Sequence, residues 1–282
     1  MNSVPGRNLT EPEWLSARIA EMGCSWGTTE PRVSGTLWWC MVASALVEQL
    51  ARAYATGSAA PEPALDRLDC EVRPDGGIER VHILPATDIE AIAEPPAEDV
   101  EGRGVDATAL PPESETGTLP GRDADVREVS DLRPACTSAD ADRPRVRVPH
   151  GSQAVGPRRA TDAAALSRAA ATTLRETLAA VIGPVAAVSG AGVPSLWAIA
   201  ADAIGNRALD AGNPDAGARL ATEVGGKLPV PRFVEIGGRS FVRRISCCLV
   251  FEVPGCEMCT SCPKRPAAER TALLTELAAE SR

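Results

Sequence analysis

Apolar residues recur at helical spacing along most of this chain and alternate at strand spacing in a few short stretches. Residues Pro12 to Met22 predict a short helix with Thr10 as its cap. A longer helix is predicted from Ser34 to Tyr54, where Leu37, Met41, Ser44 or Ala45, Glu48 and Arg52 follow the helical repeat and Gly57 marks the stop. Its first half is almost wholly apolar, which makes it a central element with Trp38 and Trp39 in the core. Leu68, Cys70 and Val72 then alternate with Asp69, Glu71 and Arg73. The turn Pro74-Asp75-Gly76-Gly77 leads to Val81 and Ile83, so a hairpin is expected with Cys70 facing inward.

From Glu94 to about Ala160 the pattern disappears. The stretch has no aromatic residue and no isoleucine, and Pro, Asp, Glu and Arg dominate. Such a composition offers too little apolar surface to offset ordering, so it reads as a linker or surface insertion carrying an idle thiol, Cys136. Helical periodicity resumes at Thr161 with Leu166, Ala170, Thr173 or Leu174 and Leu178, closed by Gly183-Pro184. A second helix is expected after Val193-Pro194, with Ser195 near its cap and Trp197 in its first turn, running to about Ala211. A third follows Asn213-Pro214. Phe233 to Ile236 and Ser240 to Ile245 predict a hairpin whose second strand runs straight into Cys247. Pro266 to Ala279 predicts a final helix with Leu273, Leu274 and Leu277 on one face. The expected fold is mostly α with small β-hairpins (α+β), a helical body carrying a C-terminal metal module. Its expected parts are an N-terminal helical and hairpin part (1–93), the linker (94–160), a second helical and hairpin part (161–245) and the module (246–282).

Composition sharpens this picture. Aromatics make up only 3% of the chain, so alanine, valine and leucine must build the core. The formal net charge is −9, from 29 basic and 38 acidic residues, which disfavours phosphate binding; no nucleic-acid partner is expected. The longest apolar run, Leu37 to Val47, falls short of the roughly 20 residues of a spanning helix, and the N-terminus lacks a signal-peptide core. No membrane span is expected and the default compartment is the cytoplasm. Nine cysteines in a reducing compartment point to metal or redox chemistry.

Five of those cysteines, Cys247, Cys248, Cys256, Cys259 and Cys262, fall close together. Soft thiolates at such spacing select zinc or iron–sulfur clusters. A [2Fe–2S] cluster needs two thiolates on each iron. Cys259-Thr260-Ser261-Cys262 is a C-x2-C knuckle able to supply one pair, and Cys247-Cys248 supplies another. Adjacent side chains on a strand point to opposite faces, so the strand must break or kink at this dipeptide. Pro254-Gly255 can turn the intervening ten residues back. A structural zinc site remains an alternative, although a vicinal cysteine pair is an awkward half-site for a tetrahedral ion. Cys256 opens a further one, Cys256-x2-Cys259-x2-Cys262-Pro263, which resembles part of a [4Fe–4S] run.

Cys-Cys-x10-Cys-x2-Cys resembles the C-terminal signature of the FhuF-type ferric siderophore reductases. Arg243-Arg244-Ile245-Ser246 is similar to that family's basic lead-in, Pro254-Gly255 to its mid-loop turn, Cys262-Pro263 to its ending, and Leu196-Trp197 to an element of its middle region. The likeness covers roughly Val193 to Arg265. It implies a [2Fe–2S] cluster on Cys247, Cys248, Cys259 and Cys262, Cys256 as a bystander, and one-electron reduction of a ferric siderophore, of hydroxamate type, in the cytoplasm. The chain has no Gly-rich nucleotide loop and only two histidines, His82 and His150, so neither NADPH binding nor a hydrolytic triad is expected. Electrons must come from a separate donor, a ferredoxin or a flavin reductase. Arg243, Arg244 and Trp197 are the candidate substrate or donor contacts; a solvated strand face is the plainer reading of the arginines, core packing that of Trp197. A non-enzymatic iron–sulfur sensor or electron carrier, and a zinc-stabilised interaction module, are the alternative functions.

Overall fold

The computed structural model describes residues 2–85 and 157–280, with side chains omitted at 157–161. The predicted linker, apart from its last few residues, and Cys136 lie outside the described residues. Among the described residues there are six α-helices: α1 (Pro12–Trp26), α2 (Pro31–Thr56), α3 (Pro157–Ser189), α4 (Val193–Asp210), α5 (Pro214–Val224) and α6 (Ala267–Glu280). An antiparallel sheet joins β1 (Asn2–Pro5), β2 (Leu68–Val72) and β3 (Ile78–Ile83) in that order, and β4 (Phe233–Ile236) pairs with β5 (Arg239–Val242). The helix-dominated α+β fold expected from the periodicity is therefore present.

Helix α2 is the axis of the body. It touches α1, α3, α4, α5 and β3, which is why its first half can be apolar on all sides. Trp38 and Trp39 are fully buried. Their indole N–H groups donate to Gly76 O (2.9 Å) and Leu196 O (2.8 Å), tying α2 to the hairpin turn on one side and to α4 on the other. The helix stops at Gly57, whose φ of 70° is the left-handed conformation that glycine adopts without a Cβ penalty. In the first sheet Cys70 faces Val81 and is buried, as its alternation implied.

Several boundaries differ from the sequence pattern. Helix α1 runs on to Trp26 with Glu11 rather than Thr10 at its cap, and α2 spans Pro31–Thr56, longer at both ends than Ser34 to Tyr54. Helix α3 does not close at Gly183-Pro184 but runs to Ser189; Val181, Ile182 and Val185 are buried on both sides of the proline, and this packing outweighs the lost backbone hydrogen bond. It also begins earlier, at Pro157. Ser195 does not cap α4, which starts two residues before it with Gly192 at the cap. Strand β1 was not foreseen, because Asn2-Ser3-Val4-Pro5 shows no alternation; pairing with β2 alone recruits it. Strand β5 ends at Val242, leaving residues 243–249 outside regular structure. By length and mean hydropathy the stretch Asp162–Ser189 of α3 would suffice to cross a membrane. Here its Ala170, Leu174 and Leu178 join the core against α2 and α5.

The α2–α3 contact is close enough to test. A Cβ built on Gly35 would lie 2.3 Å from Ser189 Cβ. Gly35→Ala is expected to destabilise the protein by about 1–3 kcal/mol, despite alanine's better helix propensity, because the helices must separate. Urea denaturation checks this; an unchanged or raised midpoint would refute the contact.

Candidate metal centre

The site is assembled where β5 gives out. Residues 243–249 cross the body beside α4, and the anchor is Asp202, a carboxylate only 2% exposed in the middle of that helix. Its oxygens accept the backbone N–H of Ile245 (2.9 Å) and Ser246 (3.1 Å). Arg244 Nε, buried without a hydrogen-bond partner, lies 3.7 Å from Asp202 Oδ2 at ion-pair range. Its Nη1 reaches toward Cys259 Sγ (3.4 Å) and Cys248 Sγ (3.7 Å). A carboxylate on a core helix thus orients a guanidinium against two of the cysteines.

The required kink follows at once. Leu249 has φ 64° and ψ 10°, a left-handed conformation costly for a residue with a Cβ. It turns the chain after the vicinal pair, and its N–H points to Cys247 Sγ (3.4 Å). A short turn at Val250–Glu252 follows, held to α2 by Arg32 and Glu252 (2.5 Å), and Gly255 (φ 79°) reverses the chain. The knuckle closes with Cys262 N–H donating to Cys259 O (3.1 Å). Two arginines brace it: Arg265 donates to the carbonyls of Met258 and Cys259, and Arg270 of α6 to that of Cys262.

The sulfurs interleave. Cys247 Sγ stands 3.6 Å from Cys262 Sγ, while Cys248 lies beside Cys247 and Cys259. Each member of the vicinal pair therefore meets one member of the knuckle. This differs from the simple expectation in which each sequence pair stands apart. The contacts run Cys262–Cys247–Cys248–Cys259, so the four thiols of the motif stand as one group. Cys248 and Cys262 are buried, whereas Cys247 and Cys259 keep partial exposure.

Charge is distributed to suit an anionic group. The Cys248 thiol is driven far below its usual range by hydrogen bonds from Cys247 and Cys259, with Arg244 adding to the effect; the two donors are driven up. Arg244 is penalised by burial, yet Cys40, Cys248, Cys259 and Asp202 around it hold it protonated. For Asp202 burial prevails and raises its pKa, against the opposing pull of the two N–H donors and Arg244.

Of the candidate contacts, Arg244 points to the cysteines and Arg243 is exposed, its N–H donating to Arg232 O (2.7 Å). Both residues lie beyond the end of the strand, so strand alternation does not part them; it is Asp202 that draws Arg244 inward. Trp197 is 4% exposed and part of the core. Sequence reasoning missed Asp202 and Cys40. Asp202 left a signal, a lone charge within Ala200-Ala201-Asp202-Ala203-Ile204. Cys40, on α2 and pushed up to about 12 chiefly by burial, left none. A cavity of about 230 Å³ opens beside the cysteines, lined by Arg232, Arg243, Arg244, Ile245, Pro263 and Arg270.

The model of the FhuF 2Fe-2S C-terminal domain matches residues 244–264, the stretch that holds Arg244 and all four interleaved cysteines. No curated protein and no solved structure matches the chain significantly.

Proposed function

We propose that Cys247, Cys248, Cys259 and Cys262 hold a [2Fe–2S] cluster and that the protein is a ferric siderophore reductase. The observation that carries this reading is the interleaved set of four sulfurs, two of them partly exposed, within a stretch that matches a domain family named for that cluster. When bound, the cluster supplies one electron per cycle and is recharged by a separate donor, a ferredoxin or a flavin reductase.

The protein's own residues have simple tasks in such a reaction. Arg244 places positive charge against Cys248 and Cys259, offsetting the negative charge that four thiolates gather and that reduction increases. Asp202 holds Arg244 and the backbone at residues 245 and 246 in place. The partial exposure of Cys247 and Cys259 lets a docked acceptor approach. Substrate Fe(III) accepts the electron and becomes Fe(II). Hard oxygen donors suit the ferric ion and hold the ferrous ion weakly, so the metal is released without acid–base groups. This chemistry belongs in the cytoplasm, where thiols stay reduced.

Dithionite-reduced protein mixed with ferric siderophores in the presence of a ferrous trap tests the proposal. Reoxidation should match Fe(II) release one for one. If no ferric chelate reoxidises the protein faster than buffer does, the reductase reading fails and that of a sensor takes its place. Iron and sulfide analysis should give two of each per chain; four would assign Cys256 to a [4Fe–4S] cluster instead.

A further inference from the structure

The cavity beside the cysteines presents four guanidinium groups and no carboxylate. Arg244 has Asp202 and two sulfurs as partners, and Arg270 donates to the carbonyls of Cys262 and Arg265. Arg232 and Arg243 have neither an ion pair nor a side-chain hydrogen bond among the described residues. The nearby acids are engaged elsewhere: Glu269 pairs with Arg265, and Glu252 with Arg32 and Lys264. Like charges crowded round one recess repel, and an anion placed among them relieves that repulsion. Planar guanidinium forks also match oxyanions in geometry.

We propose that this cavity is an anion subsite, and that the substrates taken here are ferric chelates of net negative charge. The inference rests on the reductase reading and departs from the hydroxamate expectation. A ferric trihydroxamate is neutral, because its three hydroxamates only balance the metal, and it offers the arginines no net charge. A ferric tricatecholate is a trianion. At about 230 Å³ the recess is smaller than a typical ligand pocket of roughly 300–1,000 Å³, so it takes one anionic arm and leaves the body of the chelate outside. Arg244 lines the recess and also contacts Cys248 and Cys259, so an arm held there brings the ferric centre beside the sulfurs. A concave recess of this size suits a small molecule; the face of an acidic protein would need a broad patch.

Gallium(III) separates binding from reduction, since it has the charge of Fe(III) but takes no electron. Isothermal titration of the iron-loaded protein with hexadentate gallium tricatecholate and gallium trihydroxamate is the test. The tricatecholate should bind about tenfold tighter or better, with an affinity that falls as salt rises. Arg232→Gln combined with Arg243→Gln should lower its affinity by about tenfold and leave trihydroxamate binding unchanged. Arg243→Glu alone should do the same if the double variant loses its visible spectrum. Equal or tighter binding of the neutral chelate, or variants with unaltered tricatecholate affinity, overturns the proposal. Charge-ordered gallium binding without reoxidation by any ferric chelate keeps the subsite and removes the reductase reading. Reoxidation without charge order does the reverse.

Discussion

Replacing any one of Cys247, Cys248, Cys259 or Cys262 by alanine is expected to leave the purified protein colourless and free of stoichiometric iron and sulfide. The reason is the interleaving: each sulfur has a neighbour from the other half of the motif, so one deletion leaves an iron with a single protein thiolate. Cys256→Ala should keep the colour, because Cys247, Cys248, Cys259 and Cys262 already supply two thiolates for each iron. Visible absorbance together with iron and sulfide assays on all five variants decides the matter. A coloured Cys259→Ala or a colourless Cys256→Ala would show that the ligand set is wrong.

The second large effect is expected far from the cysteines in sequence. Asp202→Ala should lower stability by about 3–5 kcal/mol, moving the thermal midpoint on the order of 10 °C. Burial raises the pKa of this carboxylate, so its own charge is not comfortably housed. What the variant removes is a partner for others: two backbone N–H groups lose their acceptor, and an arginine side chain 16% exposed loses its counter-ion. Asp202→Asn keeps one acceptor oxygen and loses the charge, so it should fall between. The iron-loaded Asp202→Asn protein should also show an altered visible spectrum, since Arg244 loses its fixed position against Cys248 and Cys259. Calorimetry showing Asp202→Ala within about 1 kcal/mol of the parent would remove Asp202 as the anchor.

Much of this arrangement was legible before the fold was seen. Gly57 and Asn213-Pro214 mark true helix ends, because a left-handed stop and a side-chain cap are local physics; Asn213 Oδ1 accepts the N–H of Ala216 as a cap should. Strand geometry called for a break or kink at Cys247-Cys248; the strand ends earlier, at Val242, and Leu249 turns the chain just after the pair. Pro184 misled because its cost is local and the burial of Val181 and Val185 that outweighs it is not. The four-cysteine grouping could be read from spacing, but its interleaving could not, since that depends on where α6 and the turn at Val250–Glu252 carry the knuckle. Asp202 escaped because a charge in an apolar helix has meaning only once its distant partner is known.

The interleaved sulfurs also bear on the lifetime of the protein in the cell. The two halves of the motif meet only when residues 243–262 are folded back upon themselves, so the cofactor acts as a removable clasp on this end of the chain. Whatever binding energy it brings is added to the folded state alone. Loss of the cluster is therefore expected to loosen residues 243–262, and limited proteolysis of the iron-loaded against the iron-free protein would show it.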